Sequence, residues 1–308
     1  MRDMYEIAGT SRQAMWGYRR RQRALRATVE QVVSHIGEKR KNHKRMGCRS
    51  IYHTAPERFG IGRDRFEQIG FENGFRLKSK RNAMKTTWGQ RVEIYPNLLE
   101  GAILTGINQA WQSDIFYLKV EGWDFYGVSI EDVYSRELLA LHISRSLRAE
   151  ENIKALKKAV GFRKGTLIKG CIYHSDRGSQ YIDGVHKKLV LSLGLRPSMA
   201  KMPQENAYVE RVQGTVKNDY FYEHDLTLKN VHRLAQKIQR WYNDERPHRG
   251  LGMMAPTDFR KHVNNLPDKE APETRIYQGF SNLSTYTAII NKKKKEAKKK
   301  KSTSTSLN

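Results

Sequence analysis

The chain has 308 residues, of which 57 are Lys or Arg and 32 are Asp or Glu, so its formal net charge is +25 and its pI about 10.0. No apolar run approaches the roughly 20 residues of a membrane-spanning helix, and two cysteines, Cys48 and Cys171, exclude a disulfide framework or a Cys-rich zinc module. Hydrophobic residues make up 38% of the chain, too many for general disorder. The charge indicates a polyanionic partner.

The positive charge is concentrated towards both ends of the chain. Residues 1–90 carry 21 basic and 8 acidic groups, and residues 291–308 carry 8 Lys and one Glu. A nearly balanced middle between basic flanks is typical of a catalytic domain with nucleic-acid-binding attachments. Solubilising helix faces and a basic membrane-surface helix are alternatives. However, 11 basic residues fall between Arg12 and Arg45 without a strongly apolar face.

For residues 1–75 we predict two small helix-turn-helix units joined by a basic linker. In the first unit, residues 4–8 form a short helix, Gly9 breaks it, and Thr10 stands three residues before Gln13, a capping spacing that starts a new helix. This helix is basic enough to enter a DNA groove. We assign DNA binding to three of its residues, namely Arg12, Arg19 and Arg20. An ordinary surface hairpin of helices is the alternative.

A helix with an apolar stripe over residues 29–36 follows, and then the second unit. It combines a helix over residues 46–52 with one over residues 64–69, separated by a break at residues 60–62. Residues 76–108 have little periodicity and several basic side chains, so we predict a basic connector there.

The pattern changes after residue 108, where strands and helices alternate. The predicted strands are residues 113–120, 125–130, 138–143, 167–174 and 195–199, and the predicted helices are residues 150–160, 183–193, one opening near Gln204, and 230–243. This order predicts an α/β fold over residues 109–262, a ribonuclease-H-like mixed sheet flanked by helices, preceded by the all-α helix-turn-helix region. Residues 263–308 are predicted to be an extension with a Lys-rich disordered tail, which either solubilises the chain or contacts phosphates.

Three carboxylates fall where such a sheet would gather them. Asp114 lies on the first strand, Asp176 ends the fourth, and Glu210 lies on the helix after the fifth. The first and fourth strands can be neighbours, and the helix then brings Glu210 to the same point. Converging carboxylates are suitable ligands for hard divalent cations. Two such ions could activate an attacking oxygen and stabilise the leaving oxygen of a phosphodiester.

Five sequence blocks, residues 111–115, 132–136, 174–181, 205–211 and 241–257, resemble the motif series of bacterial insertion-sequence transposases. The resemblance is to the second-frame (OrfB-type) product, whose catalytic core is similar to retroviral integrase, and it covers about residues 1–260. It implies that Asp114, Asp176 and Glu210 are the DDE catalytic triad and metal ligands, with two Mg²⁺ ions as cofactor and Mn²⁺ as substitute. Two departures concern the loop before Glu210. There are 33 residues between Asp176 and Glu210 where the family commonly has 35, and Glu205 replaces the usual Asp.

The helix around Glu210 carries two further candidates, because Asn206 and Lys217 share its face. The resemblance implies that Lys217 meets the DNA end; a solvent-exposed Lys is the alternative. Asn206 either orients Glu210, touches DNA or caps the helix. Arg246 contacts DNA or packs locally. His174 and Ser175 are expected to be structural, with Gly178 and Gln180 shaping the loop. A zinc-binding head built from His35, His43, Cys48 and His53 is rejected, since it needs a second Cys.

These observations predict a transposase that cleaves and joins DNA strands during integration of an insertion sequence. A ribonuclease-H-fold nuclease without joining activity and a non-catalytic DNA-binding regulator are the alternatives. The expected partners are double-stranded DNA (terminal repeats and target), further copies of the chain in a synaptic complex, and an upstream-frame product by fusion or association. No membrane is expected, and the expected location is the bacterial cytoplasm, associated with the nucleoid.

Overall fold

The computed structural model of the protein describes residues 9–78, 95–200, 203–267 and 270–276. Within these ranges no helix has the length and apolar character needed to cross a membrane. The helix expected over residues 4–8 and the Lys-rich tail lie outside the described residues.

The N-terminal helical region, residues 9–78, is built on one long helix. Helix α1 (Arg12–Asn42) has 31 residues, and its N-cap is Ser11, whose hydroxyl accepts a hydrogen bond from the Ala14 N–H at 3.0 Å. The predictions of a cap at Thr10 and of a separate helix over residues 29–36 are therefore wrong. The segment contains no proline and is rich in Arg, Gln, Ala, Glu and Lys, which favour uninterrupted helix.

Two shorter helices pack against the C-terminal half of α1. They are α2 (Cys48–Tyr52) and α3 (Arg63–Glu72), separated by a 3₁₀ turn, and they match the two helices predicted around residues 60–62. The three helices enclose an apolar cluster that comprises Val32, Ile36, Met46, Cys48, Ile51, Phe59, Phe66 and Ile69. The first half of α1 lies outside this cluster and is largely exposed.

The second part of the chain is built on a five-stranded mixed sheet. After the short strand β1 (Ile103–Leu104), its strands are β2 (Ala110–Val120), β3 (Trp123–Asp132), β4 (Leu138–Ser144), β5 (Ile172–Ser175) and β6 (Arg196–Met199). The order is β4-β3-β2-β5-β6; the first three strands are antiparallel, and β5 and β6 run parallel to β2. Strand β1 pairs separately with β7 (Thr274–Arg275). Each strand predicted after residue 108 is present, although β5 begins late because Gly170 turns the chain with φ at +85°.

Helices cover both faces of this sheet, as the ribonuclease-H-like prediction requires. They are α4 (Ala149–Phe162), α5 (Ser179–Ile182), α6 (Gly184–Ser192), α7 (Ala207–Thr215), α8 (Val231–Arg240) and α9 (Pro256–Asn264). One buried cluster joins β2–β4 to α7 and α8, and a second joins the other face to α4 and α6. Gly127 on β3 lies under the Phe116 ring, where an added Cβ would be 2.2 Å from a ring carbon.

The turn between β3 and β4 is held by a buried carboxylate. One oxygen of Asp132 accepts hydrogen bonds from the backbone of Tyr134 and Ser135 at 3.0 and 2.9 Å, and the other accepts from Asn108 N–H at 2.7 Å. Arg163 forms ion pairs with Asp132 and Glu137, all three being buried. This network holds the turn between β3 and β4 in place.

Candidate active site

The sheet register brings the two aspartates together. Strand β2 lies parallel to β5, and the last registered pair is Ser113 with Ser175. The next residue on each strand is an aspartate, Asp114 on β2 and Asp176 just beyond β5. Side chains at the same level of adjacent strands are neighbours. The expected adjacency of the first and fourth strands is therefore confirmed.

Helix α7 is attached to β2 by side-chain amides that satisfy backbone groups. Gln112 donates to the carbonyl of Glu205 at 3.1 Å and accepts from the N–H of Val209 at 3.2 Å. Asn206 donates to the carbonyl of Ser113 at 3.4 Å. These contacts orient the first turn of α7 over the strand and hold Glu210 near both aspartates.

The three carboxylates act on one another electrostatically. Burial, then the charge of Asp176 and to a smaller extent that of Glu210, raise the pKa of Asp114 to about 8. Burial and the Asp176 charge also raise the pKa of Glu210, and burial raises the pKa of Asp176. The surrounding protein removes part of the hydration of each carboxyl, although the residues Asp176 and Glu210 remain accessible to solvent and Asp114 is half-buried. The site is thus open to solvent on one side.

Hydrogen bonds fix the aspartates within this site. Asp114 accepts from the backbone N–H of Ile115 at 2.8 Å and from the side chain of Gln213, which lowers the pKa of Asp114 in opposition to burial. Asp176 accepts from the N–H of Gly178 at 3.0 Å. A Cβ on Gly178 would lie 3.0 Å from the same carboxylate oxygen, so this loop residue leaves little room beside Asp176.

The donor set has the chemistry of a site for a hard divalent cation. Three carboxylates that raise one another's pKa would be stabilised by a cation between them, and their oxygens are the ligands that Mg²⁺ prefers. In the part of the chain that the structure describes, no three His, Cys, Asp or Glu side chains already form a group that could hold a metal ion. The site therefore fits a divalent cation through the chemistry of its oxygen donors.

The predicted DNA-binding residues have different environments. Arg12, Arg19 and Arg20 are exposed on the free half of α1. Lys217 is half-buried, and its pKa is lowered by burial. Among the described residues no ion-pair partner of Lys217 is seen.

The structure corrects the DNA-binding assignment of Asn206 and shows local partners for Arg246. Asn206 is 2% exposed and directed at Ser113, so DNA contact is wrong for it, and it makes no capping bond either. Arg246 donates to Asp219 at 2.8 Å and lies over the Tyr220 ring, which is local packing. Both side chains were assigned from a position along the chain, and burial against β2 decided the role of Asn206.

The histidines behave as buried structural groups. His174 is fully buried, and Nδ1 lies 2.8 Å from the Ser198 hydroxyl; burial lowers the pKa of His174 to about 4, so the ring is neutral. His35 contacts Thr54 and Arg58.

Two glutamines of this site were missed at the level of sequence. Gln112 stands two residues before Asp114, and Gln213 stands three after Glu210, on the same helical face. The spacing of three residues from Glu210 was the sequence signal that could have identified Gln213 as part of the site.

Comparison with known proteins finds matches to the integrase core domain and to insertion-sequence proteins. Two family models, both described as the integrase core domain, match residues 105–203 and 194–256. The chain is 29% identical over 277 residues to the insertion element IS600 uncharacterized 31 kDa protein of Shigella sonnei, covering 85% of this chain and 99% of that protein. It is also 29% identical over 193 residues to the transposase InsF for insertion sequence IS3A of Escherichia coli K12, covering 60% of this chain and 66% of that protein.

Among solved structures, similarity is found to the HTLV-2 integrase catalytic core domain in complex with magnesium. It covers 53% of this chain and 99% of that one, with 17% identity and a TM-score of 0.41. A simian T-cell lymphotropic virus intasome structure matches 75% of each chain with 18% identity and a TM-score of 0.46. Residues 105–256 therefore match the integrase core domain, and the chain is similar to insertion-sequence transposases such as InsF.

Proposed function

We propose that the protein is a DDE transposase that cleaves a DNA strand at the end of an insertion sequence and joins the freed 3′-hydroxyl to another phosphodiester. The observation that carries the proposal is the register of β2 with β5, in which Asp114 and Asp176 directly follow the paired Ser113 and Ser175, together with the hydrogen bonds that attach α7 and its Glu210 to β2. Burial and the charges of Asp176 and Glu210 raise the pKa of Asp114 to about 8, in agreement with this arrangement. Similarity to the integrase core domain and to insertion-sequence transposases supports the same reaction.

In this proposal Asp114, Asp176 and Glu210 hold two Mg²⁺ ions, for which Mn²⁺ can substitute. Bound ions would supply charge stabilisation for the attacking and leaving oxygens of the phosphodiester. The protein's own part is to present ionised carboxylates in one place. Gln213 contributes to this, because its amide donates to the ionised form of Asp114.

The remaining contacts would hold DNA. Lys217 lies seven residues after Glu210, two helical turns along the same side, and is available for a phosphate at the DNA end. The exposed Arg12, Arg19 and Arg20 would bind the phosphates of the terminal repeats. We expect the active species to be a synaptic complex of several copies, formed on bacterial DNA in the cytoplasm, with an upstream-frame product as fusion or association partner.

The test is an end-joining assay with DNA from both flanks of the gene, in Mg²⁺ or Mn²⁺. The wild-type protein should produce nicked and joined DNA, and Asp176→Asn should abolish both while leaving DNA affinity nearly unchanged. Asp183→Asn is the matched control: Asp183 caps α6 through the N–H groups of Val185 and His186, and Asn can make the same cap.

Each other outcome points to an alternative. Nicked but unjoined DNA would indicate a nuclease without joining activity. An Asp176→Asn protein that cleaves and joins DNA as wild type does would refute the role of Asp176, whereas DNA binding without cleavage by either protein would indicate a DNA-binding regulator. If the wild-type chain is inactive, the assay is repeated with the upstream-frame product. Inactivity of that mixture would refute the proposal that the protein is an enzyme.

A further inference from the structure

The end of α1 makes a buried polar contact with the segment that continues α7. His43 is the C-cap residue of α1, and its N–H donates to the carbonyl of Lys39 at 3.0 Å. The imidazole is fully buried, with Nδ1 2.8 Å from the Tyr220 hydroxyl and Nε2 3.0 Å from a carboxylate oxygen of Glu245. These partners lie 177 and 202 residues away along the chain. His43 therefore joins the N-terminal helical region to the part that contains the sheet.

The chemistry of the three groups allows one arrangement of protons. A carboxylate only accepts hydrogen bonds, so Nε2 of the neutral ring donates to Glu245, and Nδ1 accepts from the Tyr220 hydroxyl. Burial lowers the pKa of His43 and raises the pKa of Tyr220 to about 12, which preserves the neutral ring and the protonated phenol. Because each atom has a single role, the contact specifies one orientation of the two parts.

Ionic and aromatic contacts surround His43. The Arg45 guanidinium lies 3.8 Å from one oxygen of Asp219, and the other oxygen of Asp219 accepts from Arg246 at 2.8 Å. The Trp241 ring stacks on Tyr220 with an interplanar angle of 21° and centroids 6.3 Å apart. Directional polar contacts of this kind select one arrangement of two domains that would otherwise move independently.

This contact is connected to the candidate active site by continuous helix. Tyr220 ends the helical turn Val216–Tyr220, which follows α7 without a break. Glu210 stands ten residues before Tyr220 and Lys217 stands three before it, so about 15 Å of helical backbone separates Glu210 from the contact. A movement of Tyr220 relative to His43 would move Glu210 relative to the N-terminal helical region.

We propose that His43 is a positioning residue, which holds the N-terminal helical region and the DNA bound there in fixed register with Glu210 and Lys217. The proposal rests on the proposed function, since it requires that this region holds a DNA end. Its consequence is that His43 determines which phosphodiester is cut, and not how tightly DNA binds.

Three variants isolate the contact. His43→Ala removes both hydrogen bonds, whereas His43→Gln supplies an amide that can donate to Glu245 and accept from Tyr220. His35→Gln is the matched control, because His35 is buried in the same helix and its contacts with Thr54, Arg58 and Phe59 all lie within the N-terminal helical region.

The first measurement is amide hydrogen exchange on the full chain without DNA. In His43→Ala, exchange over residues 216–220 should be at least about tenfold faster than in wild type, because the hydrogen bond that holds Tyr220 is absent. His43→Gln and His35→Gln should exchange at the wild-type rate in this segment. Equal rates in wild type and His43→Ala would overturn the proposal, whether or not the protein is a transposase.

The second measurement maps cleavage positions on end-labelled DNA of the element terminus. Wild type should cut at one phosphodiester. In His43→Ala cuts should spread to neighbouring phosphodiesters and total cleavage should fall about tenfold, while DNA affinity stays within about twofold; His43→Gln should restore the single position. A single unchanged position in His43→Ala would refute the positioning role. Absence of cleavage by wild type would count against the proposed function alone, and hydrogen exchange would then decide the role of His43.

Discussion

Replacing Asp114 by Asn tests the electrostatics of the candidate site in the absence of metal. The pKa of Asp114 is raised from 3.8 to about 8 in the folded protein, so the folded state holds this proton more strongly than the unfolded chain. The ionised form therefore destabilises the fold, and the destabilisation grows as the pH rises from about 4 to about 8 and is complete above that. Asn resembles the protonated carboxyl and carries no such penalty.

The size of the effect follows from the shift. One pKa unit is worth about 1.4 kcal/mol, so the change between pH 5 and pH 8 has an upper limit of about 4 kcal/mol. Asp114 is only half-buried, and screening by water should reduce this to roughly 2 kcal/mol.

The assay is urea unfolding in EDTA at several pH values for wild type, Asp114→Asn and the control Asp183→Asn. We expect the free energy of unfolding of wild type to fall relative to Asp114→Asn between pH 5 and pH 8, with the control parallel to wild type. Added Mg²⁺ should stabilise wild type at pH 8 and have little effect on Asp114→Asn. Parallel pH curves for wild type and Asp114→Asn would show that the three carboxylates do not interact as described.

Three further predictions concern single contacts. Lys217→Ala should weaken DNA binding and reduce the slope of log affinity against log salt by about 1, as measured by titration at several salt concentrations, whereas the exposed Lys229→Ala should not. Asp132→Ala leaves three buried N–H groups unpaired and should lower the free energy of unfolding by about 3–5 kcal/mol in urea; a change below 1 kcal/mol would contradict the assigned network. Gly127→Ala should destabilise by about 1–3 kcal/mol through overlap with the Phe116 ring, and Phe116→Leu in the same chain should restore part of the loss.

Local sequence pattern was sufficient for the sheet and for the placement of the carboxylates. Alternating apolar residues and turns predicted the strands, and their order predicted that β2 and β5 are neighbours, which the register of Ser113 with Ser175 confirms. Such patterns are readable because the side-chain period of a strand depends only on nearby residues. The N-terminal helix was mispredicted, because Ser11 and not Thr10 supplies its cap, and because helix-forming residues continue it without a break through residues 29–36.

The sequence by itself therefore determined the class of fold, the resemblance to insertion-sequence transposases and the choice of the three acidic residues, because each depends on residue type and order along the chain. Only the tertiary structure decided what the polar side chains around them do. Asn206 looks like a DNA contact in sequence, but its burial against Ser113 assigns it to packing, and Arg246 forms an ion pair with Asp219. His43 has no local signal at all, because its partners lie 177 and 202 residues away and meet it only when the two parts of the chain pack together.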